Sequence, residues 1–346
     1  MDLPDFFGVD IGNHTIKIAE VDRKSIDKAK LVDVASIETP VGVINSEDKV
    51  AKQKLSDKIK ELVETSQIKT RKCVAALPEA SIFTRLITVP KVEESKLEEL
   101  IHWEARQYIP LPLSNVQKDY ILIEERKVNG KAMLQILLVA APKVLVEKYS
   151  QIVKGAGLEL LALETETIAT ARIIAFSGEN TTPVMVLDFG SNGTDMSVVR
   201  RGSLIFSQSL GTGSDALTKA ISNDFGLEMA QAEQYKIAYG LDSSQADGKI
   251  YKSIEPIVQI IVDEVSRTLN FFRTHLQDSI PEKILLVGDG AKLPGLSDYL
   301  GGKIGMGVAL ANPIQKLDVS KSIQNEVKES DLVGYTVAVG LGLKTT

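Results

Sequence analysis

The same short arrangement occurs twice in this chain: an aspartate, one apolar residue, a glycine and a short polar tip. The two stretches are FFGVDIGNHTIKIAEV, Phe6 to Val21, and VMVLDFGSNGTDMSVV, Val184 to Val199, 178 positions apart. Val9 and Ile11 before the first tip, and Ile16, Ile18 and Val21 after it, show the period-two pattern of a hairpin. Glycine at such a tip lets backbone approach a ligand, and consecutive N–H groups form a concavity for anions. The first tip offers Gly12, Asn13, His14 and Thr15; the second offers Gly190, Ser191, Asn192, Gly193 and Thr194. The threonine hydroxyls add donors, and Lys17 adds positive charge from the strand after the first tip. These residue types suit phosphate. Asp10 and Asp188 would repel a phosphate unless a cation stood between them. They point to Mg2+ held through water, because that ion dehydrates reluctantly. One Asp-x-Gly at a strand end reads more readily as a turn; two copies with matched apolar flanks favour phosphate. The copies differ in one respect, since Thr15 lies five residues after Asp10 and Thr194 six after Asp188.

A third glycine site, LLVGDGAKLPGL, places Gly288, Gly290 and Ala291 between a strand and a helix. It lacks the third glycine of a dinucleotide fingerprint at the right spacing, and no Gly-Lys-Ser/Thr of a phosphate-binding P-loop occurs anywhere. A turn on which a base or ribose lies is the better reading. In AEQYK, Glu233 and Lys236 share a helix face three residues apart. They could hold a ribose hydroxyl and cover an adenine, or they could be a solvated ion pair. Gly211, Gly213 and Ser214, where the next helix opens, complete the candidate binding residues.

Two hairpins so far apart cannot belong to one meander. An internal duplication explains them: two lobes, each opening with the same hairpin and facing the other across a cleft. Between them the pattern predicts a helix over Ser46 to Ser66 with Leu55, Ile59, Leu62 and Val63 inward, and KCVAALP as a buried strand. From about Ser81 to Leu160 the grammar changes. A strand, SIFTRLITVP, leads to an amphipathic helix with Leu97, Leu100, Ile101 and Tyr108 on one face. Two strands joined through Asn129-Gly130 follow, the dipeptide being a strong hairpin signal, and then a helix after Pro142. Downstream, two helices follow the second hairpin, a long amphipathic helix spans Tyr251 to Leu276, and SDLVGYTVAVGLGL is an apolar packing helix.

Composition narrows the function. At 346 residues the chain has room for two domains or one two-lobed unit, and 44% apolar residues can bury sizeable cores. Forty basic residues against 46 acidic ones, net −6, argue against a nucleic-acid surface and give no stripe for anionic lipid. One cysteine, Cys73, and three scattered histidines exclude an intramolecular disulfide framework and a zinc pattern and fit a reducing compartment. MDLPDFF lacks the regions of a signal peptide, and the longest apolar runs are too short to span a bilayer. The expectation is a cytoplasmic protein without direct membrane insertion.

In order, these elements resemble the actin, heat-shock chaperone and sugar-kinase ATPase superfamily. Its sequence runs through a first phosphate hairpin, a connecting helix, a second phosphate hairpin and a late adenosine turn. The resemblance implies an α/β fold of actin-like ATPase type, with duplicated RNase H-like cores around a nucleotide cleft and ATP with Mg2+ as ligands. ETIATARII resembles the connecting helix, which makes Glu166 the candidate catalytic residue, placing the attacking water. Phe83 to Leu160 looks like the extra subdomain of the bacterial FtsA and PilM families. LEELIHWEARQYIPLPLSNVQKDYILIEE is similar to the Glu-Ala-x-x-Tyr-Ile-Pro signature of the PilM family, and AALPEASIFTRLITVP, VSRTLNFFRTH and VAVGLGL resemble it too. Asp289 departs from the superfamily, standing where relatives often have a third glycine.

The resemblance implies residues 1–82 and 161–183 as the first-lobe core, with 331–346 returning to it, and 83–160 as the inserted subdomain. It implies 184–212 and 280–330 as the second-lobe core and 213–279 as its helical subdomain. It further implies a scaffold of type IV pilus assembly with at most weak ATPase activity, peripheral to the inner membrane through a partner. That partner is the N-terminal cytoplasmic tail of PilN, lying in a groove between the first-lobe core and the inserted subdomain; pilus motor ATPases are further candidates. Trp103 and Tyr108 read either as partner anchors or as core aromatics. Two alternatives are an FtsA-like filament protein, which would need a lipid-binding C-terminal helix beyond GLGLKTT, and a small-molecule kinase, which would need an acceptor site beside Glu166 or Asp188.

Overall fold

Alternating burial builds the first unit. In the computed structural model, which describes residues 4–25, 28–178 and 182–345, Phe7, Val9 and Ile11 are buried along β1 (Phe7–Ile11). Ile16 and Ile18 are buried on β2 (Thr15–Ser25), and β3 (Lys28–Glu38) returns beside it. Within the expected lobe segments, residues 1–3, 26–27, 179–181 and 346 lie outside the described residues. The first helix, α1 (Lys49–Thr65), starts where the Asp48 carboxylate accepts the Val50 N–H at 3.0 Å, and it buries Leu55, Ile59, Leu62 and Val63 as expected. β4 (Lys72–Leu77) follows, parallel to β1.

The change of grammar is a separate sheet. β5 (Phe83–Pro90), α2 (Glu94–Tyr108), β6 (Val116–Val128) and β7 (Lys131–Pro142) form an antiparallel unit ordered β5-β7-β6. Asn129 and Gly130 both have positive φ, 51° and 78°, as a two-residue hairpin turn requires. Ile101 and Ala105 of α2 are buried there, with Leu97, Leu100 and Tyr108 packed around them. Tyr108 is thus a core aromatic, whereas Trp103 is 56% exposed with Arg106 over its ring.

The chain then returns through α3 (Lys143–Gly155), β8 (Glu159–Thr165) and α4 (Glu166–Phe176). The second half repeats the first: β9 (Val184–Phe189), β10 (Thr194–Arg200) and β11 (Ser203–Leu210) precede α5 (Ser214–Phe225), α6 (Met229–Tyr239) and α7 (Lys249–His275). β12 (Lys283–Val287), α8 (Leu296–Ile304), β13 (Gly307–Leu310), β14 (Asp318–Val319), α9 (Lys321–Glu326) and α10 (Thr336–Gly342) complete the chain.

The duplication is visible in the sheets. One runs β14-β3-β2-β1-β4-β8, the other β11-β10-β9-β12-β13. In each, three antiparallel strands are extended by two parallel ones, in the same order. α10 packs on β1, β2 and β4, while α4 touches β10 and β11 as well as β8. The two helices meet at Gly340, where a Cβ would lie 2.1 Å from the Ala169 carbonyl oxygen. Arg172 donates to the Gly340 carbonyl at 2.8 Å and so fastens the crossing.

Packing departs from the expected segments in two places. Tyr149, Ile152 and Val153 of α3, expected within the insert 83–160, pack with Leu55 and Ile59 in the first-lobe core. Ser56 donates to the Ile152 carbonyl at 2.8 Å. Leu317 and Ile323, expected in the second-lobe segment 280–330, pack against Ala19 and Leu31 of the first sheet, where β14 pairs with β3. The cause in both cases is the apolar face each segment carries, which finds its complement on the first sheet.

The α4–α10 contact yields a stability prediction. Gly340→Val forces backbone apart and is expected to destabilise by about 3 kcal/mol. Gly302→Ala, on α8 with nothing within 4 Å of the new Cβ, is expected to be neutral or stabilising by up to about 1 kcal/mol. Urea midpoints of the two variants check this contrast.

Candidate functional site

The two hairpin tips close in the same way. Gly12 N–H donates to the Thr15 carbonyl at 3.0 Å, and Gly190 N–H to the Gly193 carbonyl at 3.0 Å. Each tip is tied down from outside: Thr39 Oγ1 donates to the Gly12 carbonyl at 2.7 Å, while Ser214 N–H donates to Gly190 O at 2.9 Å. Gly213 belongs to this second support rather than to the cleft wall, since a Cβ there would lie 2.3 Å from the Ser191 carbonyl oxygen. Gly12, Asn13, His14, Thr15 and Lys17 from one lobe, and Gly190, Ser191, Asn192, Gly193, Gly211 and Ser214 from the other, line one cleft of about 700 Å³. That volume is within the range of small-molecule sites.

Besides Gly213, two further candidates fall outside the cleft lining. Thr194 is fully buried and its hydroxyl donates to the Thr212 carbonyl at 2.7 Å. The register explains why: Asp10 faces Lys17 and Ile11 faces Ile16, whereas Asp188 faces Asp195 and Phe189 faces Thr194. Gly193, not Thr194, corresponds to Thr15, and an offset of one residue sends the threonine to the core face. Ala291 is also buried and packs in the second-lobe core, while Gly288 and Gly290 beside it line the cleft. Gly288 has φ 84°, and a Cβ there would lie 2.3 Å from Asp188 Oδ1, so glycine is what lets this turn close over the aspartate.

Glu233 and Lys236 both line the cleft, and the lysine is withdrawn from water. Lys236 is buried, 2.7 Å from Glu233, and donates to Thr218 Oγ1 at 3.0 Å. Ile237, Leu293 and Pro294 add an apolar wall beside them.

Carboxylates dominate the rest. Asp10, Glu166 and Asp188 line the cleft as expected, joined by Glu79, Asp195, Asp289 and Asp331. Burial pushes Asp10 up to about 6 against the pull of Lys17. Burial, then the charges of Asp195 and Asp10, push Asp188 up to about 7. Burial raises Asp195 to about 6 although Ser209 donates to it. Glu166 is raised well above the carboxylate range by burial, then by the charges of Asp195 and Asp10. It also accepts the Glu79 N–H at 3.0 Å, and Glu79 accepts Thr167 Oγ1 at 2.7 Å. Glu79 and Asp195 were not singled out from sequence. For Asp195 the signal existed, because alternation places it on the face opposite Thr194; for Glu79, one residue of a polar turn, it did not.

Among the described residues no three acidic, histidine or cysteine side chains stand close enough to ligate one ion directly. Asp10 and Asp188, both raised by burial and Asp188 further by the charge of Asp10, suit a cation that keeps its own waters. Among the described residues, too, no helix is long and apolar enough to cross a membrane.

The raised carboxylates make a pH prediction. Each folded-state pKa lies above its unfolded value, so the stability these groups contribute is complete below about pH 4 and is lost as pH rises through about 6 to 7. Asp195→Asn is expected to flatten that loss and to stabilise the nucleotide-free protein near pH 8 by roughly 1–3 kcal/mol. Urea unfolding across pH reads it; a variant with the wild-type slope would contradict the assigned burial cost.

The family model described as type IV pilus assembly protein PilM matches residues 8–346. Among solved structures, the chain is similar to one in a PilM-PilN type IV pilus biogenesis complex, at 28% identity over 98% of both chains with a TM-score of 0.85. It is similar in fold alone to MreB 5 of Spiroplasma citri bound to AMPPNP, at 12% identity over 96% of both chains with a TM-score of 0.51. The cell division protein FtsA of Streptococcus pneumoniae serotype 2 is 24% identical over 222 residues, 59% of this chain and 49% of FtsA. The chain spans about half the length of the curated relatives it matches.

Proposed function

The chain belongs to the PilM family of type IV pilus assembly proteins and has the actin-like ATPase fold, and from this premise we propose that it is a nucleotide-dependent assembly scaffold. It binds ATP between its lobes and takes the N-terminal cytoplasmic tail of PilN in a groove between the first-lobe core and the inserted sheet. It sits in the cytoplasm, at the inner membrane through that partner. The observation that carries the reading is the pair of matched hairpin tips lining one cleft, with Asp10 and Asp188 beside them.

The roles follow from chemistry. The tips' backbone donors receive the β- and γ-phosphates. Asp10 and Asp188 hold Mg2+ through its waters, and the ion, when bound, offsets phosphate charge against the acidic cleft. Gly288 and Gly290 with Ile237 and Pro294 receive the adenosine, and Glu233 with Lys236 the ribose. Glu166, held by the Glu79 N–H, orients a water. The lobes close on the nucleotide, and the affinity of the PilN tail follows their equilibrium.

The support for PilN as partner is the solved complex, which contains PilM and PilN. Mg-ATP is expected to raise thermal stability, by about 2.7 kcal/mol at a hundredfold excess over Kd. It should also shift the affinity of a fluorescent PilN-tail peptide, measured by anisotropy. Asp188→Ala is expected to lose the Mg2+-dependent part of both effects. ATP that leaves the melting curve unmoved would overturn the reading.

A further inference from the structure

Three lysines line the cleft among the described residues, Lys17, Lys236 and Lys292, and each is already held by a carboxylate. Lys236 pairs with Glu233 on its own helix. The other two converge on Asp289. Lys17, on β2 of the first lobe, makes an ion pair with Asp289 on the turn after β12 of the second lobe. Lys292 lies 3.3 Å from the same carboxylate and 3.1 Å from Asp331. The niche around Asp289 is shaped for it: a Cβ on Gly334 would lie 2.4 Å from its carboxylate oxygen. The Tyr335 ring stands 5.8 Å from the Lys17 ammonium. The two partners differ in exposure. The Lys17 side chain is 10% exposed and that of Asp289 is 49% exposed. Asp289 can therefore turn out to water at small cost, whereas the buried Lys17 ammonium needs an anion to replace it.

We propose that Asp289 is an internal stand-in for phosphate, holding two of the three cleft lysines, Lys17 from across the lobe boundary and Lys292 from its own turn, until a polyphosphate displaces it. It thereby sets both the affinity of the site and its preference for longer phosphate chains. The inference rests on the nucleotide-binding reading above. A tethered carboxylate competes at a high effective concentration. A monophosphate offers little more charge than the carboxylate it must replace, while a triphosphate can satisfy Lys17 and Lys292 together. The same displacement removes a contact between the lobes, so the lysines change partners as the ligand arrives.

Asp289→Asn removes the charge and keeps the shape. Calorimetric titration with Mg-ATP and with AMP is expected to show about tenfold tighter ATP binding than wild type, and a larger gain for AMP, so that the ratio between them narrows. Asp289→Ser serves the same test if the asparagine variant melts early. In a Lys17→Met background the gain from Asp289→Asn should shrink; an undiminished gain overturns the inference. Wild-type affinities for both nucleotides in Asp289→Asn overturn it too, while ATP binding by the wild type leaves the nucleotide reading standing. If neither protein binds any nucleotide, the reading and the inference fall together.

Discussion

Asp10 and Asp188 occupy the same register position in two duplicated hairpins, and both carboxylates are half-buried at one cleft, which raises their pKa. Most of the surrounding structure answers that constraint, and the two halves answer it differently. Opposite Asp10 the first hairpin places Lys17, which offsets charge locally. Opposite Asp188 the second places Asp195, which compounds it. The excess is eased by Ser209, which donates to Asp195, while Glu166, raised by burial and by Asp195, adds to the crowding. A group of like charges this close is unfavourable in isolation. It persists because the packing of α4 against α10 at Gly340, and of both helices on the sheets, leaves the strands no freedom to separate.

Much of this was legible in the residues, and the boundary of legibility is physical. The hairpins showed because period-two alternation is local, as did the Asn129-Gly130 turn, whose positive φ values demand those residue types. α1 and α7 showed because each carries an apolar stripe along its whole length. The errors arose where one residue of offset decides a face. Thr194 looks like the partner of Thr15 but sits one step further along the strand, and so points into the core. Ala291 was likewise indistinguishable from its neighbours Gly288 and Gly290, because the direction of a turn's side chains is not written in its composition. The return of Leu317 and Ile323 to the first sheet was hidden for another reason: which of two apolar surfaces a segment covers depends on residues about 300 positions away.

The inserted sheet shows how a conformational change at the cleft could reach a distant surface. It is joined covalently to the first lobe, through Pro78 on one side and Pro142 on the other, yet its charged anchor lies in the second. Arg200 of β10 is buried. It pairs with Glu124 of β6 at 2.6 Å, Gln135 of β7 at 3.0 Å and Asp278 at 3.1 Å. Leu137 of β7 packs in the same apolar cluster as Val184, Val199 and Leu204. Breaking a buried guanidinium network costs several times a surface ion pair. Insert and second lobe therefore resist separation more strongly than Lys17 and Asp289 do. Under the proposed function, closure of the lobes then carries the inserted sheet along with the second lobe, and the strain falls on its two prolines and its boundary with the first-lobe core. That boundary is where the partner groove is proposed. Nucleotide-sensitive binding would thus need no separate relay, because the sheet that walls the proposed groove is the one Arg200 fastens to the second lobe.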